Sequence, residues 1–254
     1  MQAFLVGLQF LTRISFVRQQ NWDLADFGKS VKFFPLIGGV LGSIYALTAY
    51  FLYFFLPACH IQLPLHVQSI ILLVLPVLLT GGLHCDGFMD TMDGIFSGRS
   101  RERMLEIMKD SCAGSNAVTA FVVYMLLMWA VLLDFPSDSL IPALFIMPVT
   151  ARLAMAWAIV LFPYARPDGM GKAFATYAGR KSFYIAALLA ILLVFPWGMT
   201  AILSFVVSLF FGLLFARYTA GILGGLTGDV YGAITHLTEL AVLLIFIVIT
   251  AIGG

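Results

Sequence analysis

The chain has 254 residues, 61% hydrophobic and 11% charged, with a formal net charge of +1. So apolar a composition excludes an ordinary soluble domain, and so small a net charge gives no global field for nucleic acid. The apolar residues fall in blocks near the ~20 residues that a spanning helix needs.

Lipid offers no hydrogen-bond partner to exposed backbone, so the spans are expected to be helices. The short alternating strands of a membrane barrel do not occur. The expected fold is all-α: a polytopic transmembrane helix bundle of about seven spans plus an N-terminal interfacial or re-entrant helix. No linker or repeat divides residues 1–254, so one integral-membrane catalytic domain is expected.

In chain order, "MQAFLVGLQFLTRISF" has no charged leader and no small-residue cleavage site. It reads as an interfacial helix held by Arg13 and Arg18, not as a signal peptide. Spans are expected at 33–56, 66–83, 117–133, 140–162, 183–198, 201–219 and 233–252. The fifth and sixth meet tightly at "PWGMT" and could alternatively form one re-entrant hairpin. Cys59, Cys85 and Cys112 are scattered and give neither a disulfide framework nor metal spacing.

After the second span comes "HCDGFMDTMDG", residues 84–94. On a helix, Asp86, Asp90 and Asp93 stand at i, i+4 and i+7, on one narrow face. Three like charges so close stay ionised only with something positive among them. A hard divalent cation with oxygen ligands answers that need, and Mg²⁺ typically takes a few carboxylates plus substrate phosphates. The plainer alternative is a solvated acidic loop. Ionisable groups beside a membrane span are costly and usually functional, which favours the metal.

Next comes "SGRSRERMLEIMKDSCAGS", with Arg99, Arg101, Arg103 and Lys109 around an apolar face. It reads either as an amphipathic helix on anionic headgroups or as cations that grip a phosphorylated substrate. "YARPDGMGKAF" (164–174) carries Arg166, Asp168 and Lys172 in a Gly/Pro-rich loop, either a plain connector or a substrate lid. Arg152 and Arg217, near span ends, are expected to snorkel. "GGLTGDVYGAITHLTE" (224–239) has a glycine-rich turn ending in Asp229, but no GK[ST] follows, so it is not a Walker loop. His236 and Glu239 lie one turn apart inside the last span, as a buried pair or as ligands.

Basic residues set the orientation. Arg13, Arg18, Lys29 and Lys32 precede the first span. Arg99, Arg101, Arg103 and Lys109 follow the second, and Arg166, Lys172, Arg180 and Lys181 follow the fourth. The alternate loops, 57–65, 134–139 and 196–200, have no Lys or Arg. The positive-inside rule puts the N-terminus, the basic loops and the 224–232 turn in the cytoplasm, and the C-terminus outside.

Carboxylates and cations gathered at one membrane face fit metal-dependent chemistry on a phosphate ester or diphosphate. A CDP-alcohol-type phosphotransferase is one alternative, but "DGFMD" stands where that pattern needs DGxxAR. A cation transporter with an aspartate ion site is another, although transporters place charge near the midplane of several spans.

"TGGLHCDGFMDTMDGIFSGRSRERMLEIMKDS" resembles the signature of the cobalamin synthase family, the adenosylcobinamide-GDP ribazoletransferases. "LTRISF", "FFPLIGGVLG", "YARPDGMGKAF" and "GGLTGDVYGA" resemble further blocks of that family in the same order. The resemblance implies that adenosylcobinamide-GDP reacts with α-ribazole or its 5′-phosphate, releasing GMP and needing Mg²⁺. It implies a multi-pass protein of a prokaryotic cytoplasmic (inner) membrane, with a homo-oligomer or other cobalamin-pathway enzymes as further partners beside the lipid bilayer. The implied catalytic and metal residues are Asp86, Asp90 and Asp93, with Asp229 a further metal ligand. The implied substrate-binding residues are His84, Arg99, Arg101, Arg103, Lys109, Asp110, Arg166, Thr227 and Gly228. The chain departs from the family pattern at Cys112 and His236, and no role carries over to those positions.

Overall fold

Helix α1 (Gln2–Leu11) is too short to cross a bilayer and buries Val6, Leu8 and Leu11. Its length fits a helix that does not span, as expected for the N-terminus. The computed structural model of the protein describes residues 2–15 and 23–253. Arg18, expected to help anchor this segment, lies outside the described residues.

Asp23 caps α2 (Leu24–Ser30) by accepting a hydrogen bond from the Ala25 amide at 2.9 Å. A tight turn then leads into α3 (Phe34–Tyr50), which continues through a wide turn into α4 (Leu56–Ala58). The following helices are α5 (Leu65–Thr80), α6 (Leu83–Phe96), α7 (Arg101–Ile107), α8 (Ser115–Leu133) and α9 (Ser137–Leu161). The chain ends with α10 (Met170–Tyr177), α11 (Arg180–Val194), α12 (Met199–Leu223) and α13 (Gly228–Gly253).

Among the described residues, six helical stretches are long and apolar enough to cross a membrane, and α5 with α6 makes a seventh if that bent pair is one span. The fold is therefore a polytopic helix bundle. Residues 180–197, which include α11, and helix α12 each qualify separately as a span by length and apolarity.

Helix α9 forms the centre, with 78% of its most apolar stretch inside, against 22% for the stretch containing α11. It lies so close to α3 that a methyl group at Gly42 would overlap the Phe145 carbonyl, and one at Gly38 would meet that of Pro148. Gly38 and Gly42 thus form a small-xxx-small seam, the pattern that lets membrane helices approach backbone to backbone.

The α5–α6 break places the aspartates. Gly81 (φ 64°) and Gly82 (φ 74°) are consecutive left-handed residues, which only glycine adopts cheaply. They end α5 and send α6 off at 93° to it. Helix α6 then crosses α13 with almost no space between backbones. A Cβ on Gly87 would come within 2.8 Å of the Asp229 carbonyl oxygen, and one on Gly232 within 3.1 Å of the His84 carbonyl.

Candidate active site

The crossing of α6 and α13 joins the two distant acidic motifs. Asp90 lies within electrostatic reach of Asp229, Asp86, Arg166 and Asp93. The residue-163 loop supplies the cation. It pairs with the turn before α13, Ala165 N–H donating to the Leu226 carbonyl and Leu226 N–H to that of Pro163, both at 2.8 Å. This clamp brings Arg166 Nη2 to 2.8 Å from Asp229 Oδ2, an ion pair only 11% and 21% exposed.

Arg166 Nε is buried without a hydrogen-bond partner. Thr227 donates to Asp229 Oδ2 at 3.2 Å and accepts from the Val230 amide at 3.3 Å, so it caps α13 and holds the carboxylate at once. Asp86 and Asp90 make no ion pair among the described residues.

Beside these groups lies a cavity of about 300 Å³. Its lining includes polar residues, His84, Asp86, Arg166 and Asp229, and apolar ones, Phe10, Phe34, Met155, Ile159 and Phe174. Tyr164 also lines it, packed over Gly171, where a Cβ would come within 2.8 Å of the phenol oxygen. Burial raises the Tyr164 phenol above its ordinary value, so it stays neutral and able to donate a hydrogen bond. His84 Nε2 is buried and unpartnered. Asp86 also lines an adjoining, more open groove with Arg13 and Thr12.

The remaining sequence-predicted residues are placed elsewhere. Asp93 accepts a hydrogen bond from the Gly114 amide at 3.1 Å, at the start of α8, and faces a separate recess with Arg103 and Asp110. Arg101 donates from Nε to the Leu223 carbonyl at 2.7 Å, which ties α7 to the end of α12. Arg103 pairs with Glu106 at 2.8 Å on the surface, and Lys109 with Asp168 at 3.4 Å. Asp110 accepts from the Cys112 amide at 3.0 Å in a local turn. Arg99 is exposed and forms no ion pair among the described residues.

Arg152 corrects the expectation of a snorkelling side chain. It is wholly buried and pairs with Glu239 at 2.8 Å. It stands more than two turns before the end of α9, too far for its side chain to reach the interface. Glu239 Oε2 lies 3.5 Å from His236 Nδ1, and the Tyr124 hydroxyl 2.9 Å from that nitrogen. His236 and Glu239 thus belong to a buried network inside the bundle.

Sequence reasoning missed the apolar part of the cavity wall and two of its polar side chains, Tyr164 and Tyr231. Both stand in quoted blocks, "YARPDG" and "GDVYGA". Nothing in spacing alone separates a cavity-facing tyrosine from an ordinary membrane-interface one.

Among the described residues, no group of three or more His, Cys, Asp or Glu side chains forms a ready metal cage. The donors present are carboxylates, which are hard oxygen ligands, and two of them lack a cationic partner.

The family model described as cobalamin-5-phosphate synthase matches residues 3–247. An adenosylcobinamide-GDP ribazoletransferase of Desulfitobacterium hafniense is 38% identical over 250 residues, covering 96% of each chain. The protein of that name from Acetivibrio thermocellus is 36% identical, covering 97% of each. The one from Clostridium acetobutylicum is 31% identical, covering 94% of this chain and 92% of its own. No solved structure matches the chain. The near-complete coverage shows that the chain belongs to the cobalamin-5-phosphate synthase family.

Proposed function

We propose that the chain joins adenosylcobinamide-GDP to α-ribazole or its 5′-phosphate, the final nucleotide-loop assembly of cobalamin, with release of GMP. The whole chain acts as one catalytic unit in this reading. The observation that carries it is the pair of carboxylates without an ion-pair partner, Asp86 and Asp90, beside a cavity that Arg166 and His84 also line.

The reaction forms a bond from a ribose hydroxyl oxygen of the ribazole, one that is free in the 5′-phosphate as well, to the phosphorus on the cobinamide arm. It breaks the bridging P–O bond to GMP, and the hydroxyl proton is lost to a base. Asp86, Asp90 and Asp229 are the side chains that would hold Mg²⁺. When bound, that ion neutralises diphosphate charge as the bond to GMP breaks. Asp86 lines both the enclosed cavity and the open groove, where the two substrates meet, so it is also the carboxylate best placed to take the proton. The guanidinium of Arg166, fixed by Asp229, has donors left to hold a non-reacting phosphate oxygen. Tyr164 and the α6–α13 seam close the site against bulk water.

The same reading puts the basic loops and the site on the cytoplasmic side of an inner membrane, because the loops that alternate with them carry no Lys or Arg. The test is purified protein in lipid with both substrates, with and without Mg²⁺. One GMP per joined product, lost on chelation and restored by Mg²⁺, is expected. Release that ignores chelation would remove the metal from the proposal, and no release with any divalent cation would remove the reaction.

A further inference from the structure

The cavity beside Asp86 and Asp229 is more selective than a generic phosphate site. Its volume, about 300 Å³, stands at the small end of the ~300–1,000 Å³ of ligand pockets. A nucleoside fits such a space, and a corrin macrocycle does not. Its far wall is aromatic and aliphatic. Phe174 packs against Phe10, Phe27 and Phe34 with ring centroids 5.0, 5.4 and 5.6 Å away, so the wall is a preformed ring cluster. Met155 and Ile159 of α9 complete it.

Polar groups on this lining are few but conspicuous. His84 and Tyr231 are 3% and 4% exposed, and His84 Nε2 and Tyr231 Oη have no hydrogen-bond partner. Buried polar atoms normally have partners, so two residues on one cavity lining that each carry an unpartnered polar atom point to a ligand there.

Resting on the transferase reading above, we infer that this cavity seats the acceptor nucleoside, α-ribazole. Its flat, mostly apolar base lies against the Phe10–Phe34–Phe174 wall, its sugar meets His84 and Tyr231, and its attacking ribose hydroxyl points to Asp86. The competing occupant is the guanosine end of the other substrate. Guanine carries several donors and acceptors on its ring edges. Against this apolar wall most would be left unpaired, each costing about 1–3 kcal/mol. A benzimidazole-type base has one free ring nitrogen and loses little there. The corrinoid and its diphosphate then occupy the open groove of about 550 Å³ on the other side of Asp86.

The test is steady-state kinetics with each substrate varied in turn, on wild type, Ile159→Phe and Tyr231→Phe. Filling the cavity with Ile159→Phe is expected to raise KM for α-ribazole about tenfold or more, leaving that for adenosylcobinamide-GDP within about twofold. Tyr231→Phe keeps the ring and removes only the orphan hydroxyl, so it should fold normally and raise KM for α-ribazole about fivefold. If Ile159→Phe fails to fold, Tyr231→Phe alone decides. A rise confined to KM for adenosylcobinamide-GDP would place guanosine in the cavity and overturn the inference. Unmoved KM values for both substrates would overturn it too. Wild type that releases no GMP overturns the transferase reading itself, a result distinct from either.

Discussion

Two charged regions lie along α13, one around Asp229 and one around Glu239, and they are built on opposite rules. Deep in the bundle, Arg152 and Glu239 pair at 2.8 Å, with His236 and Tyr124 continuing the network. There each charge has its opposite within reach, as the cost of burying ions demands. At the mouth of the crossing, Asp86, Asp90 and Asp229 share one guanidinium, and it is bound to Asp229. Compensated charge holds helices α9 and α13 together. Uncompensated charge is held in place by the fold for something that arrives from outside.

That contrast can be broken by mutation. Asp86→Asn should lower turnover about 10³-fold, close to 4 kcal/mol of barrier, with the unfolding temperature unchanged or raised because repulsion is relieved. Glu239→Gln should do the reverse. It leaves Arg152 buried without its counter-charge and should destabilise the protein by about 3–5 kcal/mol, seen as a large drop in unfolding temperature. Arg152→Met with Glu239→Leu should recover most of that loss, since two apolar side chains of similar size need no compensation.

Arg166→Lys keeps the charge but loses the planar fork, and should cost about a hundredfold in kcat/KM. The smallest effect belongs to the surface. Lys109→Ala breaks a 3.4 Å pair with Asp168 whose partners are 52% and 74% exposed. It should change unfolding stability by less than about 1 kcal/mol.

The sequence carried much of this architecture because its signals were local. Apolar blocks marked the spans, and the spacing of Asp86, Asp90 and Asp93 predicted the helix that α6 turns out to be. The same spacing could not show that Asp93 turns to the Gly114 amide, because that contact is made by a segment 21 residues away. Arg152 was misjudged for a related reason. Its distance from a span end depends on where α9 stops, and its partner Glu239 stands 87 residues further on. The aromatic wall was hidden altogether. Phe10, Phe34 and Phe174 come from three separate elements, and in a chain with 23 phenylalanines no local pattern sets them apart.

The most direct test of the central claim is one preparation of Asp90→Asn, measured for both GMP release and thermal unfolding beside wild type. Release is expected to fall to background while the protein unfolds at the wild-type temperature or above. Near-normal release, or an unfolding temperature that falls with the activity, would contradict it, because Asp90 would then be either idle or structural.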